Sequence, residues 1–247
     1  MSKFAIQAEW SETPHLSVDA REQLLASIPP NQRDSRTKGI PQLGSGAIYP
    51  VDEADILVDP FQIPDWMAQV YALDVGWNRT AALWAAIDRD NDTAYLYSEH
   101  YMGNEKPPVH AAAIKARGEW IPGVIDPASR GRTQTDGEQL FNQYKQLGLT
   151  ITVANNAVEA GLYEVWTRLS TGRLKVFKTL QHWLREFRIY RRDEKGKVVK
   201  ENDHLMDCTR YLAMTGLSAA NVRPADLWAM GQGGNRFQSD YNPFSNF

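Results

Sequence analysis

At 247 residues, with 43% hydrophobic and 23% charged side chains, the chain can bury a sizeable core without disulfide or metal staples. Its one cysteine, Cys208, excludes an internal disulfide and a Cys-rich zinc site, and no apolar run approaches the roughly 18 residues of a membrane span. A formal net charge of -3 excludes a polycation that coats nucleic acid along its whole length, but not a local basic surface.

In chain order, the first ten residues lack the apolar stretch of a signal peptide, so a cytoplasm is the expected compartment. Residues 1–66 read as an approach segment. Within it a helix is expected over Ser17–Ile28, capped by Ser17, with Leu24, Leu25 and Ile28 on an apolar side. Pro29-Pro30 and the Gly39–Gly46 stretch are loop chemistry, and the prolines between Val58 and Pro64 favour a surface crossing over sheet pairing.

Residues 67–217 read as the folded domain. Val70–Gly76, Ala81–Asp88 and Thr93–Met102 predict three strands, the last two joined by the hairpin-length Arg89–Asp92. A helix over Val109–Arg117, a strand over Gly123–Asp126, a helix over Asp136–Leu147 and a strand over Leu149–Ala154 follow. Then come a helix over Val158–Ser170, a strand over Leu174–Phe177 and an aromatic-rich helix over Thr179–Tyr190. The final helix, Asp203–Thr215, has Asn202 as its expected cap and Gly216 as its stop. Three strands in antiparallel sequence, then alternating helices and strands, predict a mixed α/β sheet. Trp77, Trp84, Trp120, Trp166 and Trp183 read as core, as does Cys208. Residues 218–247 are Gly/Asn-rich and read as a flexible tail available to a partner.

The acids carry the chemistry. Asp74 ends the first strand, Asp126 ends the fourth, and Asp203 opens the last helix with Asp207 one turn on along the same face. One Asp at a strand end is usually a turn former or a helix cap, and Asp88, Asp90 and Asp92 read as hairpin polarity. Three at three element ends suggest one sheet edge, where α/β sheets bind ligands. Converging carboxylates repel unless cations neutralise them, and hard divalent ions take such oxygen ligands. A pair of ions roughly 3.5–4 Å apart suits in-line phosphodiester cleavage. Asp207 is either a further ligand or the ion-pair partner of Arg210 or another base. His204 is a weaker candidate, as a proton shuttle or an extra ligand.

The strings Tyr71-Ala-Leu-Asp-Val-Gly-Trp-Asn78, Val124-Ile-Asp-Pro127 and Asn202-Asp-His-Leu-Met-Asp-Cys-Thr-Arg-Tyr211 together resemble the nuclease domain of tailed-bacteriophage terminase large subunits. The likeness is greatest to the headful-packaging type of short-tailed enteric phages. It extends over about residues 10–216, through Pro14-His-Leu-Ser17, Ala26-Ser-Ile-Pro-Pro30 and Arg36-Thr-Lys-Gly-Ile-Pro-Gln-Leu-Gly-Ser-Gly46. The resemblance implies a ribonuclease H-like fold, a five-stranded mixed sheet flanked by helices. Three acids would bind two Mg²⁺ or Mn²⁺ ions and cut duplex DNA, and those positions fall on Asp74, Asp126 and Asp203. Family members carry a packaging ATPase before the nuclease. No Gly-rich loop ending in Gly-Lys-Ser/Thr occurs here, Gly196-Lys197 being followed by Val198. The implied chain is therefore the C-terminal half of a longer protein, 1–66 following the ATPase. The resemblance also implies partners: the portal protein, the small terminase subunit and, at the procapsid portal in the infected bacterial cytoplasm, concatemeric viral DNA. Docking to the portal suits Trp228, Phe237, Tyr241, Phe244 and Phe247 in the tail.

Between Arg185 and Lys200 seven basic and three acidic residues give a local net of +4. Asp193-Glu-Lys-Gly196 is a tight-turn signature, so Arg191, Arg192, Lys195, Lys197 and Lys200 are expected on a hairpin that grips phosphates without reading sequence. Arg130 and Arg132, just after Asp126, are a second DNA-binding candidate. The expected activity is metal-dependent endonuclease cleavage with little sequence preference. The alternatives are a transposase, integrase or resolvase of the same fold, or a non-catalytic portal-docking module.

Overall fold

The computed structural model describes residues 17–27, 46–130, 140–193 and 195–225, without side chains at 18, 26, 27 and 130. These residues form two compact units, one drawn from 1–50 and 188–201, the other from 51–187 and 202–247.

In the smaller unit, helix α1 spans Val18–Ser27, and Ser17 Oγ accepts from the Ala20 amide at 3.3 Å, the expected cap. The basic stretch folds back as a hairpin: Arg192 bridges Val198 antiparallel, and the Gly196 amide donates to the Asp193 carbonyl at 2.9 Å. Asp193 Oδ1 accepts from the amides of Lys195 and Lys197, which fixes the turn. Ala47 pairs with Arg191 as a further antiparallel bridge.

The larger unit begins with a short helix α2 (Glu53–Ile56), whose first turn is capped by Asp52. The strands are β1 (Leu57–Val58), β2 (Ala68–Asp74), β3 (Thr80–Asp88), β4 (Thr93–Met102), β5 (Gly123–Ile125), β6 (Ile151–Val153) and β7 (Leu174–Phe177). They form one sheet in the order β1-β7-β4-β3-β2-β5-β6. The β2–β3 and β3–β4 pairs are antiparallel and the rest are parallel. The sheet thus has seven strands, where the resemblance implied five and the residues themselves read as six. The expected strand Leu174–Phe177 pairs beside β4, and Leu57–Val58 adds an edge where a surface crossing was expected. Pro60 and Pro64 lie beyond that two-residue pairing, so neither removes a ladder hydrogen bond.

Strands β2 and β3 are buried on both faces, which is why they read as continuous apolar runs. On one face Tyr71, Leu73, Ala82 and Trp84 pack with Ala111 and Ile114 of helix α3 (Pro107–Lys115) and Tyr144 of helix α4 (Leu140–Gln146). Helix α4 was expected from Asp136; residues 131–139 lie outside the described ones. Helices α5 (Val158–Ser170), α6 (Gln181–Ile189) and α7 (His204–Tyr211) complete the unit, α7 packing on β2, β3 and α5.

The last helix departs from expectation at both ends. Asn202 sits at φ 52, so Asp203 rather than Asn202 takes the cap position. Beyond α7 a π-helical turn, Leu212–Gly216, runs into Leu217–Ala219, so Gly216 does not stop the helix. A Cβ on Gly216 would lie 3.0 Å from Leu212 and about 3.5 Å from Val124 and Val70. The glycine serves close helix–sheet approach. The chain then pairs Asn221 with Gln69, which fixes the start of the expected tail; residues 226–247, with their aromatics, lie outside the described ones. Trp84 and Trp183 are fully buried and Trp120 and Trp166 half-buried, but Trp77 is 65% exposed, because it falls in the β2–β3 connection instead of a strand.

Candidate functional site

Asp74 is the last residue of β2, and Asp126 follows β5 directly. These strands are parallel neighbours, with Leu73 opposite Ile125 and the Asp126 amide donating to the Leu73 carbonyl at 2.9 Å. The two carboxylates therefore leave the sheet side by side at its carboxyl edge, on strands about 4.8 Å apart. Asp126 is held locally: its Oδ1 accepts from the Ala128 amide at 3.1 Å as the chain turns through Pro127–Arg130.

Helix α7 lays one stripe along this edge. His204, Asp207, Cys208 and Tyr211 are spaced for a single face. His204 Nδ1 lies 2.8 Å from Asp74 Oδ2, and the Tyr211 hydroxyl donates to Asp126 Oδ1 at 3.0 Å. Cys208 between them is fully buried, its thiol directed to the Ala81 carbonyl, so it is the small core residue expected. Asp207 Oδ1 accepts from Arg210 Nη2 at 2.9 Å, which realises the ion-pair alternative. Arg210 is 1% exposed and also reaches Asn156 Oδ1 at 2.7 Å. Its methylene stem runs across Gly161 of α5, where a Cβ would meet Arg210 Cγ and Cδ, so a larger residue there forces the arginine stem to shift.

Asp203 caps α7 by position only. Its side chain makes no capping hydrogen bond, while its carbonyl accepts from the Asp207 amide at 2.8 Å. The cap is supplied by Glu186 of α6, wholly buried, whose Oε2 accepts from the Leu205 amide at 2.6 Å and whose Oε1 accepts from the Tyr101 hydroxyl at 2.7 Å. The Trp183 indole donates to Thr209 at 2.9 Å, pinning α7 to α6 a second time. The first turn of this helix is thus capped from α6.

The electrostatics are those of crowded negative charge. Burial raises the Asp74 carboxyl; the His204 hydrogen bond and charge oppose this, and the charges of Asp126 and Asp207 add to it. His204 is raised, first by its hydrogen bond to Asp74 and then by the surrounding carboxylates. Tyr211 is raised by burial and by Asp207, Asp126 and Asp74, so its hydroxyl remains a donor. Glu186 is raised by burial.

The edge therefore brings together Asp74, Asp126 and Asp207, with Asp203 beside His204. Among the described residues no group of three or more His, Cys, Asp or Glu side chains forms a ready ion cage. Asp74, Asp126 and Asp207 are each engaged by a neighbour: His204, Tyr211 and Arg210. The donor set still suits hard cations, being carboxylate oxygens in mutual repulsion at one edge. Arg191, Lys195, Lys197 and Lys200 are exposed on the hairpin, and Arg192 turns back to the Gly196 carbonyl. Arg132 and the Arg130 side chain lie outside the described residues. Tyr211 and Glu186 were not foreseen. Tyr211 was readable as the position seven after His204, whereas Glu186 was hidden in an amphipathic helix among surface charges.

Comparison with known proteins bears on the fold and the family. Residues 72–215, more than half of the chain, match the family described as Terminase RNaseH-like domain. The large terminase subunit of Enterobacteria phage LP7 is 36% identical over 223 residues, 86% of this chain and 46% of that protein. The chain spans less than half the length of the curated relatives it matches. The P22 large terminase nuclease domain superposes with a TM-score of 0.67 at 34% identity, covering 72% of this chain and 96% of that one. The large terminase nuclease of thermophilic phage G20c, solved with bound magnesium, shares the fold at 14% identity and a TM-score of 0.51, over 70% and 98% of the two chains. From its matched stretch and its fold, the chain belongs to the terminase RNaseH-like domain family.

Proposed function

We propose that the carboxyl edge of the sheet is the active site of a divalent-metal-dependent endonuclease that cuts concatemeric double-stranded viral DNA during genome packaging. The observation that carries this reading is the emergence of Asp74 and Asp126 from adjacent parallel strands under helix α7, whose cap position is Asp203. Asp74, Asp126 and Asp203 would hold two Mg²⁺ or Mn²⁺ ions, with Asp207 as a fourth donor if it releases Arg210. The related G20c nuclease was solved with magnesium and with cobalt, which favours divalent cations here as well. When bound, the ions would polarise the attacking water and neutralise charge on the leaving oxygen.

The protein's own residues set the stage. His204 fixes the orientation of Asp74, Tyr211 that of Asp126, and Arg210 that of Asp207. Burial at the edge strengthens the attraction of these carboxylates for cations. Arg191, Arg192, Lys195, Lys197 and Lys200, with Arg130 and Arg132, would grip phosphates. Contacts of that kind carry no sequence information, in keeping with cleavage of low specificity. In the full-length protein a packaging ATPase domain would position the DNA, with the portal protein and the small terminase subunit as partners in the infected bacterial cytoplasm.

The test is plasmid nicking with Mg²⁺ or Mn²⁺ against EDTA, on wild type and Asp74→Asn. Nicking that needs the metal and falls at least ~100-fold in the variant is expected. Equal activity in both proteins removes the site.

A further inference from the structure

An edge built of carboxylates repels the polyanion it is to cut, so cations must lie close beside it. Within the larger unit, most described arginines are spent on the protein. Arg89 donates to the Ala220 carbonyl, Arg117 to Ser98 and two carbonyls, and Arg168 and Arg173 to Asp92. Arg210 serves Asp207 and Asn156, and Arg223 serves Asp65. Arg79 and Arg185 differ. Among the described residues neither enters an ion pair. Both instead rest against one ring, Tyr101, with guanidinium carbons 4.4 and 5.8 Å from its centroid.

Tyr101 is a fixed platform beside the acids. Its hydroxyl is tied to buried Glu186 at 2.7 Å, His182 stacks on it at 4.6 Å and 18°, and the His204 ring lies 6.3 Å away, edge to face. His204 in turn touches Asp74. Only one imidazole therefore separates the arginine-bearing ring from the first carboxylate. The nearby acids are already committed. Glu186 caps α7, and Glu99 accepts from the His182 and Trp183 amides at 2.9 Å each, which caps α6. The ring contact restricts the Arg79 guanidinium, Arg185 is held to Tyr101 by a side-chain hydrogen bond, and each keeps a planar fork of donors to meet a phosphate.

The geometry points to Arg79 and Arg185, held on Tyr101, as a clamp for the phosphates of the DNA strand that enters the carboxyl edge. The clamp takes its ligand class from the nuclease reading, but its test does not depend on cutting. Binding of a short fluorescent DNA duplex of arbitrary sequence is followed by anisotropy in EDTA over a range of salt. In Arg79→Gln/Arg185→Gln the log–log salt slope is expected to fall by about two, at roughly 0.9 per phosphate contact, with about ten-fold weaker binding at moderate salt. Arg79→Lys/Arg185→Lys keeps the charges and is expected to keep the slope within about half a unit. The charge-matched control Arg173→Gln/Arg223→Gln, away from the platform, is expected to bind as wild type does.

A wild-type slope in the double Gln variant overturns the clamp. So does a Lys variant that falls as far as the Gln variant, since that marks a structural role. Wild-type protein that nicks plasmid while the Gln variant binds normally sinks the clamp and spares the nuclease. An arginine-dependent slope in a chain that never nicks does the reverse.

Discussion

The central strands carry acids at both ends, and the two ends treat them in opposite ways. At the β3–β4 turn, Asp88 accepts from the Asp90 and Asn91 amides and the Asn91 side chain, and Asp92 pairs with Arg168 and Arg173. Both carboxyls are held below the usual range, chiefly by those hydrogen bonds. At the carboxyl edge burial dominates instead: it lifts Asp74 and Glu186 and lowers His100 of β4 to about 4. An acid that completes a turn is satisfied by its own neighbourhood. Acids left crowded and only partly compensated are poised to attract something else.

The comparison breaks most sharply on activity. Asp126→Asn is expected to reduce metal-dependent plasmid nicking by at least ~100-fold without lowering the thermal midpoint, because the substitution relieves repulsion among the edge carboxylates. A variant that nicks normally would make the two ends equivalent.

Acid titration separates the ends by pH window. His100 and His110 touch at 2.9 Å, and burial first of all lowers both. Their neutral forms are favoured in the fold, so the unfolded chain binds more protons as pH falls from about 6.5 to about 4, and stability is lost there. The loss is on the order of 3 kcal/mol for the pair's dominant member. Asp88 and Asp92 are lowered, so their stabilisation persists until pH drops below the ordinary carboxylate value near 3.8. Melting temperatures of wild type and His100→Gln should therefore converge between neutral pH and about pH 5. A constant gap would remove the histidine pair from the acid response.

Tyr211→Phe sharpens the comparison at smaller scale. It removes the donor to Asp126 and leaves one buried oxygen without that bond, costing about 1–3 kcal/mol by denaturant titration and roughly ten-fold in nicking. The smallest effect belongs to the turn. Asp92→Asn breaks exposed ion pairs worth about 0–1 kcal/mol and should leave nicking unchanged.

How much of this was legible depends on how local the cause is. Strands β2 and β3 were readable because burial on both faces writes continuous apolar runs, and β4 because the Arg89–Asp92 turn sets it off and its buried positions Ala94, Leu96 and His100 alternate with half-buried ones. Asp74 and Asp126 were readable because each interrupts such a run where the strand ends. The pairing of Leu57–Val58 was not, since a two-residue strand is defined only by its partner β7, more than a hundred residues on. The exposure of Trp77 and the close packing of Gly216 were missed for the same reason: composition favours a core tryptophan and a helix stop, and neighbours overrule both.

The order of apolar runs and acids along the chain determined the fold class, the parallel and antiparallel elements and the identity of the candidate carboxylates, because hydrophobic period and turn chemistry act over a few residues. Only the tertiary structure decided that Glu186 caps the acid-bearing helix, that His204 and Tyr211 span two strands to reach Asp74 and Asp126, and that Arg79 and Arg185 share one ring. Those are contacts between residues far apart in sequence, and their energies exist only once burial has brought the side chains within reach.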